Sequence, residues 1–188
     1  MTHKGTTTLA TETTTLRRFE ITDAPAMFRN LCSDAEAMRF LPWDVHASVG
    51  ETEKHLEGYI AGYAKPDHYA WAIAPKETGE AIGFIVAAVD ETINAAKVDY
   101  GIGRAWWRKG YASDALSAVI RFLFEEIGAN RVYATHDPRN PNSGKVMEKC
   151  GMIYEGTLRQ ARRRKGEYSD RVLYAMLAEE YMNRYMGQ

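Results

Sequence analysis

The chain has 188 residues, 45% of them hydrophobic and 26% charged, with a formal net charge of -1. That is enough for one good core and, by length, about one domain. The near-neutral balance excludes a protein whose overall field gathers nucleic acid or anionic membrane, so charge is informative only where it clusters.

Cys32 and Cys150 lie far apart with no CxxC, which excludes a disulfide framework or zinc ribbon and fits a reducing compartment. The opening MTHKGTTTLATETTT lacks the apolar centre of a signal peptide, and the apolar run AIGFIVAAV is far short of the ~20 residues that span a bilayer. A cytoplasmic protein with no membrane association is expected. The Thr-rich residues 1–10 have little to bury and are expected to form a disordered tail, with a single domain over 11–188.

In chain order, TTLRRFEI reads as a strand, and TDAPAMFRNL as a helix with an early Asp and Pro as start signals. Ser48 and Glu51 have capping-box spacing ahead of Leu56, Tyr59, Ile60 and Tyr63, which share one face of a second helix. YAWAIAP, AIGFIVAAV and KVDYGIG are three apolar runs with a Gly-containing turn between the first two, an antiparallel meander.

Next, Ala112, Ala115, Leu116, Val119, Ile120, Leu123 and Ile127 fall on one side of a helix that GAN ends. RVYATH is a strand, NSGKVMEKCG a short helix closed by Gly151, and MIYEGTLRQ and RVLYAML are two more strands around KGEYSD. Runs of strands with flanking helices give class α+β, a mostly antiparallel sheet with helices on its faces.

The stretch WWRKGYAS, Trp106 to Ser113, opens the central helix with two cations and a glycine. The first amides of a helix have no internal partner and the helix dipole is positive there, which favours an anion such as phosphate. Gly110 lets the backbone approach closely, and Arg108 and Lys109 add full charges. By themselves these residues fit a solvated loop with a turn glycine slightly better. There is no GxxxxGK[ST] motif, and GIGRAWW has only the first two glycines of GxGxxG.

YGIGRAWWRKGYASDAL, followed by NPNSGKVMEKCGM, resembles the acetyl-CoA-dependent N-acetyltransferases of the GNAT superfamily, in particular the ribosomal-protein-acetylating RimJ/RimL type. The resemblance runs from about Thr11 to about Leu177. It implies a strongly twisted sheet of about seven strands with helices on both faces. Trp107 to Ala112 is similar to the family's phosphate loop, Gln/Arg-x-x-Gly-x-Gly/Ala, with Trp first and Arg108 in place of an inner glycine.

The resemblance further implies that the amides of Arg108, Lys109, Gly110, Tyr111, Ala112 and Ser113 hold the pyrophosphate of acetyl-CoA, and that the backbone at Ile102, Gly103 and Arg104 runs beside the pantetheine arm. Asn140 would bind that arm, and Ser143 would protonate or hydrogen-bond the departing thiolate. Both residue types are also ordinary helix caps. A backbone amide near Ile102 would polarise the acyl carbonyl.

The amine acceptor needs a base, and the family's usual carboxylate positions hold Lys97 and Arg162 here. Asp99 is the carboxylate chosen, with Asp137 and Glu155 as alternatives; all three also read as surface or structural groups. Neither cysteine is expected to be a nucleophile, and Cys150 is expected to pack in the core.

The densest cationic run, Arg159 to Lys165, would put arginines on both faces of a regular strand, so this hairpin tip is expected to leave the sheet. In the family it borders the acceptor groove, where Arg162 would meet substrate and Trp43 would form another wall. A solvated tip is the alternative. No HExxH-like spacing exists, and no metal site is expected.

The function expected is transfer of acetyl from acetyl-CoA to a protein N-terminal α-amine or small amine in a ternary complex. The alternative is a non-catalytic acyl-CoA-binding or RNA-associated module. A homodimer is allowed for.

Overall fold

A computed structural model describes residues 1–164 and 166–185. Its strands are β1 (Leu9–Ala10), β2 (Thr14–Arg17), β3 (Tyr69–Pro75), β4 (Gly83–Asp90), β5 (Ala95–Ile102), β6 (Arg131–His136), β7 (Ile153–Arg164) and β8 (Glu167–Leu177). They form one sheet in the order β1-β2-β3-β4-β5-β6-β8-β7. Every neighbouring pair is antiparallel except β5 with β6. The helices are α1 (Ala24–Met27), α2 (Ala35–Met38), α3 (Val49–Gly62), α4 (Tyr111–Glu125), α5 (Pro141–Lys149) and α6 (Ala178–Tyr185). None of the described helices is long and apolar enough to cross a membrane.

β3 is buried along its whole length, as a central strand covered on both faces is. Its large residues Trp71 and Ile73 join the core under α4, with Leu116, Val119 and Leu123. On the other face Ala72 packs with Phe84 in a second core, where Leu31, Leu56, Met27 and Phe19 cover it. Alternation of large and small side chains along one strand thus lets helices approach both faces.

The first helical stretch is irregular: a 3₁₀ turn (Ile21–Asp23), α1 with Pro25 in its first turn, and a π turn (Phe28–Cys32). The π turn brings the Asn30 carbonyl so close to Gly103 that a Cβ there would lie 1.9 Å from its oxygen. Gly103 is needed for this contact, its φ of -60° being open to any residue. At α3 the Ser48 hydroxyl accepts the Glu51 amide at 3.3 Å, and the Glu51 carboxylate reaches one residue past the cap to the Ala47 amide at 2.8 Å.

Two regions depart from expectation, and a third, the arginine-rich hairpin tip, follows it. Residues 1–10, expected to be loose, are held: the Thr2 amide donates to Ile127 O at 3.0 Å, Gly5 N to Pro66 O at 2.8 Å, and the Thr6 hydroxyl to His68 O at 2.8 Å. Thr11, Thr13 and Thr14 then donate to the Asp114 carboxylate on α4. The Thr-rich run supplies hydroxyl donors where little apolar surface is available. Secondly, α6 ends the described chain and buries Tyr181, whose hydroxyl donates to Glu125 at 2.6 Å.

Finally, β7 and β8 stay paired to Arg164 and Glu167, but β6 accompanies β8 only from Val172 to Leu177. The arginine-rich tip therefore leaves the sheet's body as a two-stranded ribbon. Register shifts after Tyr154 and Leu158, with Gln160 at φ 52°, turn its side chains.

The expected consequence of the close approach at Gly103 is that Gly103→Ala lowers unfolding free energy by about 2–3 kcal/mol, read from the urea midpoint at unchanged m-value. An unaltered midpoint would mean that the Asn30 carbonyl yields freely.

Candidate active site

β5 and β6 pair only from Ala95 to Lys97 against Arg131 to Tyr133, although β5 continues to Ile102 and β6 to His136. Beyond Lys97 the strands part. In a ladder, backbone groups alternate sides. The Gly103 amide donates toward β4, to Ile82 O at 2.9 Å, whereas Ile102 O accepts from the Trp107 indole at 2.9 Å. Backbone N–H and C=O groups of Tyr100 and Ile102 therefore face the opening.

α4 points its N-terminus at the same opening. Gly110 is its N-cap at φ 90°, with nothing within 4 Å of the position a Cβ would take, and Arg108 is left-handed too at φ 62°. The position where the resemblance expected an arginine in place of a glycine is thus one that favours glycine. The first intrahelical bond runs from Asp114 N to Gly110 O at 2.9 Å, leaving the preceding amides of the turn without a partner inside the helix. The Ser113 hydroxyl is turned back onto Gly110 O at 2.8 Å, so only the Ser113 amide is offered.

α5 forms the facing wall. Asn140 is its N-cap, yet the Asn140 side chain makes no capping hydrogen bond. The Ser143 Oγ lies 3.1 Å from the Tyr100 hydroxyl, which donates to Ser143 O at 2.9 Å. Burial pushes the Tyr100 phenol well above its usual range, so it keeps its proton.

Two cavities meet here. One, of about 460 Å³, is lined by Ile102, Trp106, Trp107, Arg108, Gly110, Tyr111, Ala112 and Ser113 on one side and by Asn140, Ser143, Lys145 and Lys149 on the other. Its charged lining is Arg39, Arg108, Arg139, Lys145 and Lys149 against a single carboxylate, Glu36. The other, of about 560 Å³, is lined by Trp43, Lys97, Asp99, Thr135, His136, Asp137, Arg162 and Arg171. Tyr100, Asn140 and Ser143 line both, as do Phe40 and Leu41.

The structure thus gathers most of the sequence-selected residues and leaves some outside. Lys109 lies over the Trp106 ring at 5.1 Å, Arg104 pairs with Asp34 at 3.0 Å, and Gly103 is buried; none of the three lines either cavity. Asp99 is paired with Lys97 at 2.8 Å. Asp137 accepts two bonds of 2.8 Å from Arg139, which holds its carboxyl down at about 2. Glu155 pairs with Arg131 and lines neither cavity. Cys32 and Cys150 are free and buried, and burial raises both thiols, Cys32 to about 11. Tyr100 is the site residue that the sequence does not mark: it carries only a strand pattern, and its meeting with Ser143, 43 positions away, has no local signature.

The Acetyltransferase (GNAT) domain profile matches residues 13–153, most of the chain. The chain belongs to the GNAT acetyltransferases. Within the family it is RimJ/RimL-like. It is 29% identical over 93% of its length to the uncharacterized N-acetyltransferase p20 of Bacillus licheniformis, covering 98% of that protein. Over 48% of its length, and 46% of the relative's, it is 29% identical to the [ribosomal protein uS5]-alanine N-acetyltransferase of Escherichia coli K12.

The solved structure of RimL, a ribosomal L7/L12 alpha-N-protein acetyltransferase in complex with coenzyme A, superposes with a TM-score of 0.81 at 22% identity. That superposition covers 93% of this chain and 99% of RimL, and shows a shared fold. This GNAT enzyme is therefore an acetyltransferase, with the α+β sheet and flanking helices expected, although the sheet has eight strands because β1 lies in the supposed tail.

Since the Asp137 carboxyl titrates lower in the folded enzyme than its ordinary 3.8, its pairing stabilises the fold above about pH 4 and that contribution is lost as pH falls toward 2. Asp137→Asn should lower stability at pH 7 by roughly 1–2 kcal/mol, allowing for the exposed guanidinium, and flatten the loss between pH 4 and 2. Acid unfolding followed by circular dichroism checks both; an identical acid limb in the variant would remove Asp137 from the account.

Proposed function

We propose that the enzyme transfers the acetyl group of acetyl-CoA to a primary amine, a protein N-terminal α-amine or a small amine, by direct attack in a ternary complex. The observation that carries this reading is the junction of two cavities at Tyr100, Asn140 and Ser143. One cavity has the chemistry of a diphosphate site and the other opens on the far side of the same residues. The amides from Arg108 to Ser113 bind the pyrophosphate, with the open space over Gly110 admitting it and the surrounding arginines and lysines opposing its charge. The RimL complex with coenzyme A, a fold neighbour, and the family match support this choice of cofactor.

The pantetheine arm lies along the unpaired edge of β5 as an added strand. The Ile102 amide, facing the opening, polarises the acyl carbonyl, and the Asn140 side chain meets an amide of the arm. Ser143 donates to the departing thiolate. Tyr100, protonated and 3.1 Å from the Ser143 hydroxyl, orients that hydroxyl.

Asp99 takes the ammonium proton through water. Among the three carboxylates considered it is the one that lines the acceptor-side cavity with a lysine, Lys97, in place of an arginine on its two oxygens. Trp43 walls that cavity, its ring 5.2 Å from Phe84 and 4.5 Å from His55. The matched relatives are acetyltransferases and lend no support to a non-catalytic, RNA-associated module.

Thiol release from acetyl-CoA with a panel of N-terminal peptides, polyamines and amino acids tests the reading, together with calorimetry of coenzyme A binding. Ser143→Ala and Tyr100→Phe should each reduce kcat, Ser143→Ala on the order of a hundredfold, with coenzyme A affinity changed less than about threefold. Gly110→Ala should do the reverse, weakening coenzyme A by about tenfold or more as a methyl fills the diphosphate space. Full turnover in Ser143→Ala would reduce Ser143 to a helix residue, and no heat on adding coenzyme A would sink the reading.

A further inference from the structure

The acceptor-side cavity holds two guanidinium groups that make no direct ion pair among the described residues. Arg171 on β8 donates to Thr135 Oγ1 at 3.3 Å and Thr135 O at 3.0 Å, and Arg162 on β7 donates to Phe40 O at 2.7 Å. All three acceptors are neutral. The Arg171 Nη1 and Arg162 Nη2 are buried with no hydrogen-bond partner among the described residues. Neither residue forms an ion pair among the described residues.

The carboxylates of the same wall are engaged elsewhere, Asp99 with Lys97 and Asp137 with Arg139, both at 2.8 Å. Burial works against both guanidinium charges, as does repulsion of Arg171 by Arg162 and of Arg162 by Arg164, and the more distant Asp137 and Asp99 offset this only in part; an arginine nevertheless stays protonated in a protein. Two half-buried cations, each with one buried donor not used by the protein, favour an incoming anion. Planar guanidinium donors match a carboxylate, and about 560 Å³ accommodates an amino acid or the first residues of a peptide.

We propose that the acceptor amine carries a carboxylate, which Arg162 and Arg171 hold while the amine faces Tyr100 and Ser143. This rests on the acetyl-transfer reading above and names its substrate class. The carboxylate has two sources, the α-carboxylate of a free amino acid or an acidic side chain near the start of a peptide.

The test is steady-state thiol release by the full chain with acetyl-CoA and matched acceptors: amino acids against their carboxamides, and peptides with Asp or Glu in the first three positions against their Asn or Gln counterparts. In at least one arm the carboxylate member should be favoured by about tenfold or more in kcat/KM, mainly through KM; the arm that responds identifies the source. That preference should shrink toward one in Arg171→Gln and Arg162→Gln and return in part in the lysine variants, with melting curves confirming that the variants fold.

Equal kcat/KM within every pair for the unaltered enzyme overturns the inference while leaving acetyl transfer intact. If coenzyme A binds but no amine turns over, calorimetry of N-acetyl amino acids against their amides on the coenzyme A-loaded protein decides, equal or absent binding overturning the proposal. Failure to bind coenzyme A sinks the acetyl-transfer reading and this inference with it.

Discussion

The parting of β5 from β6 is the constraint on which the rest depends. Each strand of a sheet needs its backbone groups paired, and β5 meets this on its β4 side along its whole length. On its β6 side pairing ends at Lys97. The backbone groups beyond, at Tyr100 and Ile102, are left facing a gap between elements that cannot close. α4 occupies the crossover between the two strands, and its buried face of Leu116, Val119 and Leu123 fixes where its N-terminus emerges. A single unfinished ladder thereby creates a strand-like slot, a helix N-terminus at one end of it, and a second cavity beyond.

Close contacts keep the gap open. The Asn30 carbonyl presses on Gly103, and the Gly103 amide is tied to Ile82 O, so β5 cannot swing toward β6 without losing both. On the opposite side Asp114 gathers the hydroxyls of Thr11, Thr13 and Thr14, pinning the first turn of α4 to the edge of the sheet. Polar side chains here do structural work that the chain's first residues could not do by apolar burial. The cost of desolvating the Asp114 carboxylate is met by several donors at once, and the balance holds its carboxyl below its ordinary value.

The elements with strong periodicity were legible in the sequence. α4 buries the stripe from Ala115 to Leu123, and the three apolar runs form the β3-β4-β5 meander. Most of the residues chosen for the phosphate loop do line one cavity. What escaped was whatever depends on distant partners. The order of residues 1–10 is of this kind, since Thr6 is held by His68, remote in sequence. Tyr100 carries the same pattern as any strand tyrosine. In Arg162 and Arg164, composition signalled charge but not direction: their guanidinium groups reach across to the carbonyls of Phe40, Arg39 and Trp43.

Asn140 and Ser143 present the sharpest case of two explanations for the same residues, since both types commonly cap helices. Capping leaves a mark, a hydrogen bond donated by an amide of the first turn to the side-chain oxygen. The Asn140 side chain makes none, and its backbone at φ -113° and ψ 67° is not that of a regular cap. Pro141 explains how α5 begins without one: its ring presets the helical φ and it has no amide to satisfy. The Ser143 hydroxyl likewise finds its neighbour across the gap, in Tyr100, and not in its own helix's first turn. A helix start that spends neither polar side chain on itself directs both toward the place where the two cavities join.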